Sequence, residues 1–217
     1  MKTGNLEMTE AARVHGTELP IEWGVASFKL PGQTESGDQF VIKAFDGGVL
    51  IGVIDGLGHG REAAASAKTA KSIMEAHARE PVGSLINLCH KELRKTRGAV
   101  MSIASLNMRE NSITWIAVGN VTAVLNRVDS PVIPLREYIF SGQGVVGDQL
   151  PVLHASSIPI SRGDLLMLAT DGIRETFVVE TSSWGHPQQI ADKILAQYSR
   201  GNDEALVLVA RYIGDRR

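Results

Sequence analysis

Two aspartates, Asp55 and Asp171, hold matching positions in the sequence, since each follows an apolar run and precedes a glycine. The run before Asp55 covers residues 49–54, and the run before Asp171 begins at residue 165. Short apolar runs bounded by turn residues are typical of buried β-strands. A carboxylate at the end of such a strand is costly to bury unless a cation or several hydrogen-bond donors compensate its charge. Both aspartates are therefore candidates for binding a cation at the rim of a core.

Two more aspartates lie at the starts of strands. Asp38 opens the stretch 39–45, and Asp203 comes just before the apolar stretch 205–213. If the ends of these strands are neighbours, like charges about 4 Å apart repel by about 4 kcal/mol at an intermediate dielectric. A divalent cation would relieve this repulsion, and ligands that are all oxygen favour Mg²⁺ or Mn²⁺. Asp-Gly pairs are also common in plain turns, which is how we interpret Asp46-Gly47.

A glycine-rich loop follows Asp55, with Gly56, Gly58 and Gly60 on both sides of His59. Glycine leaves room for a ligand to approach the backbone, so Gly58 and His59 are candidates for contacting a phosphate. For His59 we favour the alternative that its ring forms a hydrogen bond that shapes the loop, since a neutral histidine often orients its neighbours.

The elements that must position these residues are mostly strands. Apolar runs and alternation predict strands at 21–30, 39–45, 49–55, 100–108, 112–118, 121–128, 138–140, 152–158, 164–171 and 205–213. Apolar spacing and alanine content predict helices at 62–79, 84–97 and 187–198. Ser84 is the expected N-cap and Gly98 the expected stop of the second helix. Hairpin-length spacing favours mostly antiparallel sheets with helices outside them.

Composition limits the classes of function. The chain has 217 residues, a net charge of −2 and one cysteine. The charge gives no electrostatic case for nucleic acid or an anionic membrane, and no apolar run approaches the roughly 20 residues that span a bilayer. A single cysteine fits a reducing cytoplasm. We expect a cytoplasmic monomer with a polar, loosely ordered segment at 1–20 and one domain at 21–217.

The motifs, taken in order, resemble those of a known family. Residues 54–60, 169–172 and 201–208 look like successive motifs of the PPM (PP2C-like) metal-dependent serine/threonine phosphatases, and Gly37-Asp38 matches their early acidic motif. The Asp-Gly-x-Gly-His-Gly form resembles the SpoIIE/RsbU-type bacterial branch. The resemblance covers about residues 23–211 and implies an α+β fold, a four-layer α/β/β/α sandwich of two mostly antiparallel sheets flanked by helices. It also implies two divalent cations, Mn²⁺ or Mg²⁺, at one end.

The resemblance assigns roles to single residues. Asp55 would bridge both cations, and the Gly56 carbonyl would bind the second. Asp171 and the acidic group of the last motif would hold the first, and Asp38 would act near the metals through bound water. Asn202 stands where relatives usually have an aspartate, so Asn202 and Asp203 remain alternatives for the last ligand.

The activity implied is hydrolysis of phosphoserine or phosphothreonine by a hydroxide that bridges the metals, with Asp38, Asp55 and Asp171 as the catalytic residues. The compact form of the chain resembles the phosphatases that reset the stressosome. The resemblance therefore implies phosphorylated STAS-domain proteins of a stressosome-like complex as substrates and partners.

Other interpretations rest on single motifs. Cys89 lacks the phosphate-binding loop of cysteine phosphatases and is predicted to be a core residue. Gly142-Gln-Gly144-Val-Val-Gly147 is followed by residues 148–151, which are not expected to form a helix, so we predict a flexible loop beside the site and no dinucleotide site.

Two other classes of protein are alternatives to a phosphatase. A GHKL-type ATPase is disfavoured because Leu57 stands where the Asp-x-Gly-x-Gly motif of that class requires its first glycine. A non-catalytic pseudophosphatase that acts as a binding module remains an alternative because of Asn202.

Overall fold

The computed structural model describes residues 19–128, 136–139, 143–180 and 185–214. The strands are β1 (Ile21–Phe28), β2 (Asp38–Phe45), β3 (Gly48–Gly56), β4 (Ala99–Asn107), β5 (Ser112–Val118), β6 (Thr122–Asn126), β7 (Arg136–Tyr138), β8 (Ser156–Pro159), β9 (Leu165–Ala169) and β10 (Ala205–Tyr212). The helices are α1 (Arg61–Ala76), α2 (Val82–Leu93), α3 (Phe177–Glu180) and α4 (Pro187–Tyr198). Most of the predicted segment 1–20 lies outside the described residues, so its order stays a prediction.

The described strands form two sheets of five strands each, which we name the β3 sheet and the β9 sheet after the strands that lead to Asp55 and Asp171. The β3 sheet has the order β2-β3-β4-β5-β8, and the β9 sheet has the order β1-β10-β9-β6-β7. All of the strand pairs within both sheets are antiparallel. This confirms the antiparallel arrangement that the hairpin-length spacing predicts.

The alternation of side chains along β3 explains why its whole run is apolar. Successive side chains of a strand point to opposite faces. Val49, Ile51 and Val53 pack in the core between the two sheets, while Leu50 and Ile54 pack with α1 and α2 on the outer face. The outer face of the β9 sheet is covered in the same way by α4. The layers are therefore α/β/β/α, as the resemblance implies.

Some predicted boundaries were wrong. Helix α2 begins after Pro81 rather than after Ser84, because the backbone of Pro81 at φ −53° takes the N-cap position and its carbonyl accepts from Leu85 N at 3.0 Å. The helix ends at Leu93, where the Thr96 hydroxyl donates to the Leu93 carbonyl at 2.8 Å, well before Gly98.

Two edge strands and one helix also differ from the prediction. Strand β8 covers Ser156–Pro159 rather than 152–158, because pairing with β5 begins only at Ser156. Strand β7 covers Arg136–Tyr138 rather than 138–140, and residue 140 is outside the described residues. The four-residue helix α3 was not predicted, since it is too short for a helical periodicity to show. No helix in the described part of the chain is long and apolar enough to cross a bilayer.

Gly172 packs against the backbone that leads into β10, and its replacement gives a first prediction. A Cβ at this position would lie 1.9 Å from the Glu204 carbonyl oxygen. We expect Gly172→Ala to lower the free energy of unfolding by about 1–3 kcal/mol, the usual range for overpacking. Urea unfolding followed by circular dichroism would measure the change.

Gly83 in α2 is the matched control, since a Cβ there meets nothing within 4 Å. Gly83→Ala should leave stability unchanged or raise it by up to about 1 kcal/mol, because alanine favours helix more than glycine does. Equal effects of the two substitutions would contradict the close approach at Gly172.

Candidate active site

The β2–β3 hairpin brings Asp38 and Asp55 side by side at one end of the β3 sheet. The two residues face each other directly in the antiparallel register. Just beyond them, Gly56 N donates to the Gly37 carbonyl at 3.1 Å, which closes the end of the hairpin. Asp38 is buried and Asp55 is half-buried. Two carboxylates from neighbouring strands thus share one edge.

The β9 sheet contributes the other acidic residues and is linked to the first pair by a hydrogen bond. Thr170, which follows β9, donates its hydroxyl proton to Asp38 Oδ2 at 2.8 Å, and the same hydroxyl oxygen accepts from Leu206 N at 2.9 Å. Asp171 comes next in the chain and accepts from Asn120 Nδ2 at 2.8 Å. The Thr170 bond therefore joins the ends of both sheets at the place where the carboxylates meet.

A cavity of about 520 Å³ opens at this junction. Its lining includes five acidic residues, Asp38, Asp55, Asp171, Asp203 and Glu204. Two members of the glycine-rich loop, Gly58 and His59, also line it, as do Gln143 and Gly144. None of the lining residues that the structure describes is lysine or arginine. The described part of the cavity wall is therefore strongly acidic and carries no lysine or arginine.

The pKa values show how much the carboxylates disturb one another. Burial, with further contributions from Asp171, Asp203 and Glu204, raises the pKa of Asp55 to about 7. Burial and the neighbouring Asp55 carboxylate raise the pKa of Asp38 well above its ordinary value, although the Thr170 donor opposes this. A cation in the cavity would favour the charged form of both carboxylates, since a nearby opposite charge lowers the pKa of a carboxyl group.

Asp171 lies at the more exposed mouth of the cavity. Burial and the charge of Asp203 raise its pKa, while the hydrogen bond from Asn120 and the nearby Arg200 lower it. Arg200 Nε donates to the Asp171 carbonyl at 2.8 Å. Backbone and side chain of Asp171 are thus both fixed by donors.

Asn202 and Asp203, the two alternative ligands in the last motif, differ in their position relative to the cavity. Asp203 lines the cavity and accepts from Glu204 N at 2.8 Å, whereas Asn202 is exposed and is not among the lining residues. This position favours Asp203 over Asn202 as a ligand, and the role itself stays a proposal. Sequence reasoning missed Glu204; the available signal was a second acid directly after Asp203 at the start of an apolar strand.

The glycine-rich loop lies at the cavity rim as expected from its place after Asp55. His59 Nδ1 lies 3.4 Å from Gln33 Nε2, which ties the loop to residues before β2. Gly58 has a φ of +87°, a left-handed conformation that favours glycine. A Cβ at Gly58 would also lie 2.7 Å from Arg97 Nη1. Whether either residue contacts a phosphate stays a prediction.

Three other interpretations of the sequence are settled by the structure. Cys89 is buried in the core, as predicted, and burial raises the pKa of its thiol to about 12. Residues 143–151 include no helix, as predicted, and 143–145 line the cavity, whereas Gly142 is outside the described residues. Asp46-Gly47 forms the β2–β3 turn, as predicted.

The donor set fits a hard divalent cation. The acidic side chains that line the cavity offer carboxylate oxygens as ligands. One of these oxygens, Glu204 Oε1, is buried and has no hydrogen-bond partner among the described residues. No three histidine, cysteine or acidic side chains in the described ranges stand close enough to enclose an ion on their own. A cation here would therefore complete its coordination with water and backbone carbonyls, as Mg²⁺ commonly does.

Comparison with known sequences identifies related proteins. Residues 46–213 match the family of Stage II sporulation protein E (SpoIIE). Phosphoserine phosphatase RsbX from Bacillus subtilis (strain 168) is 37% identical over 106 residues, which are 49% of this chain and 53% of RsbX. The matched part of the chain thus spans about half the length of this curated relative.

Solved structures share the fold. A chain from "The bacterial stressosome: a modular system that has been adapted to control secondary messenger signaling" is 28% identical with a TM-score of 0.80, over 88% of this chain and 99% of that one. RsbX in complex with magnesium is 24% identical with a TM-score of 0.78, over 88% and 94%. The Mycobacterium tuberculosis serine/threonine phosphatase PstP/Ppp is 12% identical with a TM-score of 0.69, over 90% and 99%.

These likenesses place the two-sheet sandwich among PP2C-type folds, as the resemblance of the motifs implies. The SpoIIE match extends from the β2–β3 turn to the end of β10, and so includes Asp55, Asp171 and Asp203. The chain belongs to the SpoIIE family.

Proposed function

We propose that the protein is a metal-dependent phosphatase that removes phosphate from phosphoserine or phosphothreonine in a protein substrate. One observation supports this most directly. Carboxylates from both sheets line one cavity that lacks a described lysine or arginine, and Thr170 ties the two sheets together there. Membership of the SpoIIE family and the 37% identity to phosphoserine phosphatase RsbX point to the same activity.

The chain would hold two divalent cations, Mn²⁺ or Mg²⁺. In this proposal Asp55 would be a ligand of both ions, the Gly56 carbonyl would be a ligand of one, and Asp171 and Asp203 would be ligands of the other. When bound, such a pair would supply an activated water and stabilise charge on the phosphoryl oxygens. Asp38 would act near the ions, and the hydrogen bond from Thr170 fixes its carboxylate. No side-chain nucleophile is needed, in keeping with the buried position of Cys89.

We infer that the substrates are phosphorylated STAS-domain proteins of a stressosome-like complex, and that the protein acts as a monomer in the cytoplasm. The family resemblance, the identity to RsbX and the likeness to a chain from the stressosome study support this substrate class. Asp171 and Asp203 are exposed at the cavity, as access for a phosphorylated residue on a folded protein requires.

Phosphate release from a phosphorylated STAS-domain protein tests the proposal. The purified protein would be freed of metal, mixed with the phosphoprotein and titrated with MnCl₂, with the phosphorylated fraction followed on a phosphate-affinity gel. We expect release that rises with MnCl₂ and saturates. A phosphoprotein that stays phosphorylated at every MnCl₂ concentration, with a folded protein present, would contradict the proposal.

The same assay separates the alternatives. A binding module would retain the phosphoprotein without releasing phosphate, and a GHKL-type ATPase would hydrolyse ATP instead. Asn202 was the only residue that favoured the binding module, and it is exposed and outside the cavity lining. Its position therefore gives the binding module no support from the residues that line the cavity.

Asn120 gives a prediction about metal affinity. Its side chain donates to Asp171 Oδ2 at 2.8 Å and so orients a proposed ligand. Groups that orient ligands typically contribute about 10- to 100-fold in affinity, so we expect Asn120→Ala to raise the Kd for Mn²⁺ by about tenfold in calorimetric titration. Asn87→Ala is the control, because the exposed Asn87 amide donates to the Gly83 carbonyl of α2 and Asn87 does not line the cavity. A Kd for the Asn120 variant equal to that of the control would show that the hydrogen bond does not support the ligand.

A further inference from the structure

We propose that Glu204 is an additional metal-holding residue of this site, with one carboxylate oxygen fixed by the protein and the other facing a cation. The inference rests on the metal dependence proposed above and adds a residue to the ligands named there.

The two oxygens of Glu204 have different surroundings. Oε2 accepts a buried hydrogen bond from Gly37 N at 2.6 Å. Oε1 is buried and has no hydrogen-bond partner in the described part of the chain. The residue as a whole is only 6% exposed. Because an unpaired buried acceptor loses the hydrogen bonds it would make in water, Oε1 needs a partner that the described side chains and backbone do not supply.

The position of the carboxylate points that partner toward the cavity. Glu204 lines the same cavity as Asp38 and Asp55. A Cβ built on Gly37 would lie 3.2 Å from Glu204 Oε2 and 3.4 Å from the Gly56 carbonyl oxygen. The Glu204 carboxylate and the Gly56 carbonyl, which the proposal gives to a cation, therefore both lie beside Gly37.

The charge of Glu204 is what needs explaining. A glutamine would accept the same hydrogen bond from Gly37 through its amide oxygen and would add no charge. The glutamate instead brings a further negative charge to a cavity that Asp38 and Asp55 already line. Without a cation the repulsion among these charges only destabilises the folded protein, whereas with a cation the extra charge strengthens binding.

Glu204→Gln separates the two roles, because it keeps the acceptor for Gly37 and removes the charge. In calorimetric titration of the metal-free protein with MnCl₂, we expect the variant to bind with a Kd at least about tenfold higher than the wild type. Its Tm without metal should equal or exceed that of the wild type. Glu62→Gln is the matched control, since Glu62 is exposed, pairs with Arg97 and does not line the cavity. This control should leave the Kd unchanged.

Each outcome decides between the roles. An unchanged Kd for Glu204→Gln overturns the proposal, and so does a variant that unfolds or has a lower Tm without metal, because the carboxylate would then be structural. Glu204→Ala removes the acceptor as well, so its Tm should be lower than that of Glu204→Gln. A wild-type protein that binds no Mn²⁺ would instead remove the proposed metal dependence itself. That result differs from one in which both proteins bind equally.

Discussion

Asp55→Asn should lower kcat for phosphate release on the order of a thousandfold or more, because it removes the charge that bridges the proposed cations. Asp55 is half-buried and is paired directly with Asp38, and no described lysine or arginine lines the cavity. Asparagine has nearly the same shape, so the fold should remain intact. Turnover of a phosphoprotein at saturating MnCl₂ measures the loss, and circular dichroism measures the fold.

Asp46→Asn is the matched control for this prediction. Asp46 also precedes a glycine, but it forms the turn at the opposite end of the same hairpin. It is exposed, and its partner Arg109 lies 3.8 Å away. Activity should be unchanged in this variant. If Asp55→Asn kept the wild-type kcat in the presence of Mn²⁺, the role assigned to Asp55 would be wrong.

Removing divalent cations should abolish phosphate release and make the stability of the protein fall as pH rises from about 4 to about 7. The pKa of Asp55 is raised to about 7 in the folded protein by burial and by Asp171, Asp203 and Glu204. The unfolded chain releases this proton near pH 4, its ordinary range. The stability that the retained proton provides is therefore complete below about pH 4 and is lost as pH rises through about 7.

Added cation should reverse the trend, since metal ions bind the deprotonated carboxylates and so bind more tightly as pH rises. We expect MnCl₂ to raise the Tm of EDTA-treated protein much more at pH 8 than at pH 5. Differential scanning fluorimetry at both values would measure this. Asp55→Asn should flatten the pH dependence of the metal-free protein. An equal gain in Tm at both pH values would contradict the proposed acidic cation site.

The pairing of Asp38 with Asp55 could be predicted from sequence because it follows from local structure. A two-residue turn at Asp46-Gly47 pairs Phe45 with Gly48, and counting back along both strands reaches Asp38 and Asp55 together. Period-two patterns and a strong turn signal determine such a hairpin. The same reasoning explains why most of the strands were predicted close to their observed positions.

The parts of the site that join the two sheets could not be predicted in this way. The contact between Thr170 and Asp38 links residues 132 positions apart, and nothing local in either segment encodes it. Glu204 was missed for a related reason, since its partner Gly37 lies 167 positions earlier. The family resemblance supplied the convergence of Asp55 and Asp171, whereas residue patterns alone left it conditional. The sequence also did not show whether Asn202 or Asp203 faces the cavity, because that depends on how the segment before β10 packs.

The hydrogen bond from Thr170 to Asp38 has a mechanical consequence. The acids that line the cavity come from both sheets. An ion bound among them would therefore link the β3 sheet to the β9 sheet at this end. Separating the layers at this end and releasing the ion would then be one event. Backbone amides near Gly37 and Thr170 should accordingly exchange with deuterium faster once the ion is removed, while those at the Asp46 end of the hairpin should not change.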